Sequence, residues 1–210
     1  MKAGLGQWLL VVGMSLLIGG SYLTWRSLRA GPLPAGELSS VTEIRDDKPL
    51  PAFSLHGPRG AFGNANLVGQ WSFMFFGYTQ CPDICPTALT LMKDLKAALA
   101  GRQGTPAQGF QVVFVSVDPQ RDTLRLLGEY MAAFDPNFVG ITGGDAALSS
   151  LVKNLGVYYQ RNDATDKQNY TVDHSAAIYL IDPQGRLAAV FSPPQQAAKM
   201  ATDFRRIAQH

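Results

Sequence analysis

Residues 71–87 read WSFMFFGYTQCPDICPT and decide how the chain folds. The segment 71–78 is a continuous apolar and aromatic run, which is typical of a strand buried on both faces of a sheet. A helical pattern follows, because leucine and methionine recur at every third or fourth residue until Gly101 ends it. Cys81 and Cys85 fall between this strand and this helix. Both thiols are therefore predicted at the carboxyl end of a buried strand, which is where open α/β sheets bind ligands.

The two cysteines are too few for a disulfide-dense scaffold, and their C-x3-C spacing differs from the redox C-x-x-C. Pro86 suits the first helical position, so Cys85 is predicted to be the N-cap. There the helix dipole and unpaired backbone N–H groups would lower the pKa of its thiol. The spacing lets both sulfurs converge or leaves room for an ion, and two soft thiolates favour Cu(I) or Zn(II) over hard cations. The alternative of two inert buried cysteines is disfavoured by their position at a strand-to-helix turn.

The chain has three histidines, and one of them lies where it could join the cysteines. His56 lies near a turn and His210 is the last residue, so both are expected at the surface. His174 lies just before an apolar strand predicted at 176–181. A histidine at the start of a core strand is usually structural, but the loop before one strand can also approach the ligand-binding end of its neighbour. Spacing alone leaves both roles open for His174.

The rest of the chain alternates strands with helices, which predicts an α/β fold. Two short strands around a Gly-Pro turn precede the apolar run, and a hairpin and a last helix close the chain. This order predicts a mostly parallel central sheet flanked by helices, with an antiparallel hairpin at one edge. The remaining strands are predicted at 53–62, 110–117, 138–141, 176–181 and 186–191, and the remaining helices from Asp122, over 145–155 and over 195–208.

The N-terminal part predicts a membrane anchor. Residues 4–25 carry no charge, and as a helix these 22 residues would span about 33 Å, enough to cross a bilayer. The run is longer than the core of a signal peptide and ends in aromatic and basic residues, which favours an uncleaved anchor. Basic residues flank it on both sides, so charge alone does not orient it. The predicted organisation is an anchor at 1–29, a Pro- and Gly-containing tether at 30–52 and a folded domain at 53–210.

Composition excludes two broad classes of function. Hydrophobic residues make up 46% of the 210 residues and charged residues 16%, so the chain is not a self-repelling disordered segment. The net charge of +2 indicates no general polyanion-binding surface. We therefore expect no nucleic-acid partner.

Several separate motifs resemble one known family. Residues 76–87, FGYTQCPDICPT, closely resemble the signature of the SCO/SenC copper-chaperone family. The likeness extends from about residue 40 to 208, with further matching motifs at 115–123, 138–143 and 172–175.

The resemblance implies a fold, a site and a function. The family has a thioredoxin-like fold behind a single N-terminal transmembrane helix. For this chain it implies a single-pass protein of the inner (cytoplasmic) membrane, with the soluble domain in the periplasm. Carried over by motif, the ligands of Cu(I) or Cu(II) would be Cys81, Cys85 and His174. The family's role implies delivery of copper to the binuclear copper site of cytochrome oxidase, with its copper-binding subunit or other copper proteins as partners.

A second class of function stays open. A thiol–disulfide oxidoreductase would use Cys81 and Cys85 as a redox pair on the acceptor's cysteines or on other extracytoplasmic proteins. A thiol peroxidase on a related fold is a weaker third reading. His174 separates these readings, because copper binding needs a third ligand whereas disulfide exchange needs only a thiolate, a resolving thiol and access.

Charged residues near the motifs receive mainly structural predictions. Asp83, between the cysteines, is expected to cap the turn rather than to bind a partner. Asp173 is a candidate to orient the adjacent imidazole, although neighbouring residues of an extended chain point to opposite faces. Asp118, Arg121 and Asp122 are expected to form a turn and a helix cap, with Asp122 as the N-cap residue.

Overall fold

The computed structural model describes residues 41–44, 48–101, 109–162 and 170–209. This part of the chain contains ten strands and four α-helices, and a short 3-10 turn covers Asn64–Asn66. The strands are β1 (Val41–Glu43), β2 (Ser54–Gly57), β3 (Gly60–Gly63), β4 (Trp71–Gly77), β5 (Phe110–Ser116), β6 (Val139–Ile141), β7 (Tyr159–Arg161), β8 (Val172–His174), β9 (Ile178–Ile181) and β10 (Leu187–Phe191). The helices are α1 (Ile84–Leu99), α2 (Leu124–Ala132), α3 (Asp145–Leu155) and α4 (Ala197–Ile207).

The apolar run predicted as a doubly buried strand is β4, in the interior of a six-stranded sheet. The order of that sheet is β1-β10-β9-β4-β5-β6. Successive side chains of β4 enter two different cores, as the strand period of two requires. Met74 and Phe76 pack in the core that includes the β2–β3 hairpin and α3, whereas Phe73 and Phe75 pack with α1 and α4. Both faces of β4 are therefore covered, which explains its continuous hydrophobicity.

The central sheet is mixed, so the prediction of a mostly parallel sheet is wrong. Only β4–β5 and β5–β6 pair in parallel, whereas β4–β9, β9–β10 and β10–β1 are antiparallel. The reason lies in the hairpin of β7 and β8, which the sequence analysis did not predict. It brings His174 to the carboxyl end of β4, beside Cys85. Strand β9 begins a few residues later at that same end, so it must run back along β4.

The domain includes residues that were assigned to the tether. Strand β1 pairs with β10, with Val41 opposite Phe191, and Pro49 bridges to Arg186. The predicted tether at 30–52 therefore overlaps the sheet in its second part, and residues 30–40 lie outside the described residues. The predicted anchor at 1–29 also lies outside them. No helix within the described ranges combines the length and apolarity needed to cross a membrane.

Other predicted elements are confirmed close to their expected bounds. The β2–β3 and β9–β10 hairpins and the last helix are present. Helix α3 ends at Gly156, which adopts a left-handed conformation with φ of 64°, as a glycine cap does. These elements were predictable because turn residues and hydrophobic period agree locally.

Candidate metal centre

Helix α1 starts two residues earlier than the proline signal predicted. Its N-cap residue is Asp83, so Cys85 lies inside the first turn and is not the N-cap. Every amide of a first helical turn lacks an intrahelical acceptor, so proline is tolerated at more than one position there. Asp83 holds the expected capping position, but its carboxylate accepts no backbone N–H. It accepts instead from the Thr87 hydroxyl at 3.4 Å.

The position of Cys85 turns its side chain into the core. The residue is fully buried, and burial raises the pKa of its thiol far above the ordinary value. The Tyr78 backbone amide opposes this rise, whereas the nearby Cys81 adds to it. The prediction of a lowered pKa at Cys85 is therefore wrong. The Cys85 amide lies 3.5 Å from the sulfur of Cys81, so the helix N-terminus donates to the more exposed of the two thiols.

The sulfur of Cys85 fits only because β4 ends in glycine. A Cβ atom on Gly77 would lie 2.4 Å from Cys85 Sγ and 2.9 Å from a ring carbon of Phe114. Both separations are far below van der Waals contact. Gly77 is thus a site residue that the sequence analysis missed, and a glycine that closes a run of bulky strand residues was the available signal.

His174 faces Cys85 with one ring nitrogen in the unprotonated form. Its Nε2 lies 3.4 Å from Cys85 Sγ, and its Nδ1 lies 3.1 Å from the carbonyl oxygen of Ser175. A carbonyl only accepts hydrogen bonds, so in the neutral ring Nδ1–H donates to it and Nε2 keeps its lone pair toward the sulfur. Burial lowers the pKa of His174, opposed by the Ser175 bond and the charge of Asp173. The neutral ring is the form that binds metal ions.

The orientation of the imidazole comes from the backbone rather than from Asp173. Asp173 is exposed, and its neighbour His174 points the other way, as alternation along β8 requires. The rings of Phe75 and Tyr78 meet the imidazole edge-on, with centroids 5.8 Å and 6.0 Å away. Contacts on several sides therefore hold the ring. Of the other histidines, His56 is exposed as expected, and His210 lies outside the described residues.

The structure brings together the three residues that the sequence analysis named. One donor atom each from Cys81, Cys85 and His174 lies within 4.8 Å of the others. Two sulfurs and an imidazole nitrogen suit a soft or borderline ion such as Cu(I), Cu(II) or Zn(II), and they offer no oxygen to a hard cation. Three protein ligands are one short of a closed structural zinc site, whereas they form a sufficient donor set for copper. The cluster could hold a copper ion.

Asp122 has a different role from the one predicted. The N-cap residue of α2 is Thr123, whose hydroxyl accepts from the Leu126 amide at 3.2 Å. Asp122 is buried, and its carboxylate accepts from the Thr79 amide at 3.0 Å, the Thr79 hydroxyl at 2.5 Å and the Ser116 hydroxyl at 2.6 Å. It therefore ties the start of the cysteine loop to the end of β5. The only sequence signal for this link was a hydroxyl residue at the carboxyl end of both strands, which is Thr79 just after β4 and Ser116 at the end of β5.

These observations define a class of protein. The chain is a thioredoxin-like α/β domain in which a Cys-Cys-His cluster, suited to a soft metal ion, lies at the carboxyl end of the central strand.

The SCO1/SenC family model matches residues 42–209. The mitochondrial protein SCO2 homolog of Bos taurus is 36% identical over 155 residues, which are 73% of this chain and 58% of that protein. The chain thus spans little more than half the length of that relative. The SCO2-like protein RP587 of Rickettsia prowazekii is 35% identical over 184 residues, covering 84% of this chain and 85% of that one. Copper-bound ScoI of Arabidopsis thaliana has a TM-score of 0.69 and 30% identity, covering 75% of this chain and 96% of that one. This chain belongs to the SCO1/SenC family.

Proposed function

We propose that this protein is a membrane-anchored copper metallochaperone that delivers copper to the binuclear copper site of cytochrome oxidase during assembly. One observation carries the proposal: the donor atoms of Cys81, Cys85 and His174 lie together at one end of the sheet. The copper-bound state of the Arabidopsis relative supports copper as the ion. Copper here is the cargo of the protein.

The three ligands contribute differently to the binding of Cu(I) and of Cu(II). Cu(I) is soft and accepts two thiolates, so Cys81 and Cys85 suffice to hold it. Cu(II) is harder and favours nitrogen in its coordination, so it depends more on His174. Cys81 is partly exposed and Cys85 is buried. An acceptor's ligands would therefore approach the ion from the side of Cys81.

The surface beside the site is suited to a protein partner. Ile84 and Tyr158 are large hydrophobic side chains that are 44% and 57% exposed. Ile84 adjoins Cys85 in the sequence, and the backbone of Tyr158 accepts a hydrogen bond from Ser175, next to His174. We propose that these two exposed groups, one beside each ligand-bearing segment, contact a docked partner protein. The partner we propose is the copper-binding subunit of cytochrome oxidase or another copper protein.

The proposed location is supported by the N-terminal sequence and by the family resemblance. Residues 4–25 are long enough and uncharged enough to span a bilayer once. We therefore place the protein in the inner membrane, with the folded domain in the periplasm. The division into an anchor at 1–29, a tether and a folded domain remains a prediction.

A transfer assay tests the chaperone role. The reduced full chain in detergent micelles is loaded with Cu(I) and mixed with the reduced, copper-free binding domain of the oxidase subunit. We expect copper to move to the acceptor faster than from an equal amount of a small-molecule Cu(I) complex, and the Cys81→Ser, Cys85→Ser variant to give no such advantage. Equal rates from the protein and the small complex would reject delivery.

A thiol–disulfide oxidoreductase is the second candidate, favoured by the two reduced cysteines in reach of each other. The Cys81 thiolate would attack an acceptor disulfide to form a mixed disulfide, and Cys85 would then displace the second acceptor thiolate. Two electrons pass to the acceptor, and Cys81 and Cys85 end as a disulfide. Reduction of an oxidised acceptor by the copper-free protein tests this role. A Cys81→Ser variant must abolish it, whereas His174→Ala should leave it nearly unchanged.

A further inference from the structure

The hairpin that carries His174 is separate from the sheet that carries the cysteines. Strands β7 and β8 form a two-stranded sheet of their own. A hairpin of this size is marginally stable by itself. Cys81 and Cys85 instead follow β4, in the centre of the main sheet. Besides the aromatic contacts around the ring, side chains that bridge the two segments therefore help to set the distance from the imidazole to the sulfurs.

The guanidinium of Arg121 makes such contacts with three loops. Its Nε donates to a carboxylate oxygen of Asp118 at 2.5 Å. Its Nη1 donates to the side-chain oxygen of Gln80 at 3.0 Å and to the backbone carbonyl of Tyr170 at 2.8 Å. Gln80 immediately precedes Cys81, and Tyr170 lies on the segment that leads into β8. One planar cation thus joins the cysteine loop to the histidine hairpin.

Tyr170 makes two further contacts, one with Arg121 and one with Asp118. Its ring lies under the guanidinium, with the central carbon of Arg121 3.6 Å from the ring centroid. Its hydroxyl donates to the second carboxylate oxygen of Asp118. Asp118 is fully buried, so its carboxylate oxygens need hydrogen-bond donors, and Arg121 and Tyr170 supply them. After Tyr170, Val172 enters the core and His174 follows at the end of β8. Placing Tyr170 therefore places the imidazole.

We propose that Arg121, held by Asp118 and packed on Tyr170, is a positioning residue that sets the distance of His174 from the cysteine pair. It acts through the two loops that it joins. The inference rests on the proposed function in one respect: part of its test measures copper binding. Because His174 matters most to Cu(II), loss of the positioning contacts weakens Cu(II) binding and spares Cu(I).

Replacing Arg121 with lysine distinguishes its positioning role from the effect of its positive charge. A lysine keeps the positive charge beside Asp118, so no buried carboxylate is left without a cation. It has no planar fork, however, and cannot donate to Asp118, Gln80 and Tyr170 in this geometry while stacking on the ring. Arg125→Lys is the matched control, because Arg125 is 78% exposed and, among the described residues, forms its ion pair with Glu129 of the same helix.

The experiment uses the reduced full chain in detergent micelles. In the copper-free protein, NMR of the His174 ring nitrogens reports its tautomer and surroundings. We expect Arg121→Lys to shift these resonances, because the ring moves relative to Cys85, Phe75 and Tyr78, and Arg125→Lys to leave them unchanged. With Cu(II), Arg121→Lys should lower the affinity by about 10-fold or more, as loss of a ligand-orienting group typically does, and should shift the thiolate-to-copper absorption. Cu(I) affinity should stay close to that of the wild type.

A double variant shows whether Arg121 acts through His174. In a His174→Ala background, Arg121→Lys should have little further effect on Cu(II). An Arg121→Lys protein with wild-type His174 resonances and a wild-type Cu(II) spectrum, changed only in melting temperature, would overturn the inference. If the wild-type chain binds no copper, the proposed function fails, and the copper-free NMR comparison still decides whether Arg121 positions His174.

Discussion

Replacing Gly77 with alanine should damage the metal centre through a single methyl group. The added Cβ would lie 2.4 Å from Cys85 Sγ, with Phe114 ring carbons at 2.9 Å and 3.2 Å. Comfortable contact between such atoms needs about 3.5–4.0 Å, so the sulfur or the strand end has to move by more than about 1 Å. The ring of Phe114 lies in a fully buried core and cannot easily yield.

The expected magnitude follows from overpacking of a filled core. Inserting a methyl group into such a core typically costs about 1–3 kcal/mol, which for a domain of this size lowers the melting temperature by about 2–12 °C. The displaced sulfur should also weaken Cu(I) binding, because Cys85 is one of two thiolates that hold it. Thermal unfolding and a competition titration with a chromogenic Cu(I) chelator measure the two effects on the same protein.

Gly128→Ala is the control for this substitution. Gly128 lies in α2, and a Cβ atom there meets nothing within 4 Å. Alanine in an exposed helix interior is more stable than glycine by about 0.5–1 kcal/mol, so this variant should melt slightly higher and bind copper normally. A Gly77→Ala protein that matched the wild type in both melting and Cu(I) affinity would refute the steric argument.

Four further predictions follow from the structure and the sequence. The Cys81→Ser, Cys85→Ser variant should bind no Cu(I), and oxidation of the pair to a disulfide should have the same effect; equilibrium dialysis measures both. Asp122→Asn should lower the free energy of unfolding by about 1–3 kcal/mol, because one oxygen that accepts hydrogen bonds becomes an amide donor; urea titration measures this. Burial alone would raise the pKa of Asp135, but its bond with Lys96 lowers it below the ordinary value. That pair should therefore add at most about 1 kcal/mol near neutral pH, since Lys96 is 40% exposed. The contribution should begin to fall as the pH nears the ordinary Asp pKa of about 3.9 and should be lost as the pH drops through the lower pKa of the folded state; comparing Asp135→Asn with the wild type across pH tests it. The intact chain should stay with membranes after alkaline extraction, and its recovery in the supernatant would contradict the predicted anchor.

The sequence predicts the parts of the fold that depend on local pattern. The apolar residues of β4, the leucines of α1 and the turn between β9 and β10 each specify their element within a short window. The direction of β9 relative to β4 is not set by local pattern, because it depends on the end of β4 at which the chain arrives. The β7–β8 hairpin decides this, and its three-residue strands are too short to show a clear alternation.

The sequence predicts which residues form the site better than it predicts their burial and their contacts. The cysteine spacing and the family resemblance name Cys81, Cys85 and His174, and the structure brings them together. The burial of Cys85 depends on Gly77 and on where α1 begins, which the proline signal misplaces. The roles of Asp122 and Arg121 depend on partners that are distant in the sequence, Thr79 and Tyr170. No local pattern reveals such pairings.

X-ray absorption of copper in the reduced, Cu(I)-loaded full chain counts the atoms bound to the ion and so shows whether these three residues hold it. We expect two sulfur neighbours and one nitrogen neighbour per copper in the wild type, from Cys81, Cys85 and His174. In His174→Ala the nitrogen should disappear while both sulfurs remain. An unchanged nitrogen shell in that variant, or a wild-type ion without two sulfur neighbours, would contradict the site.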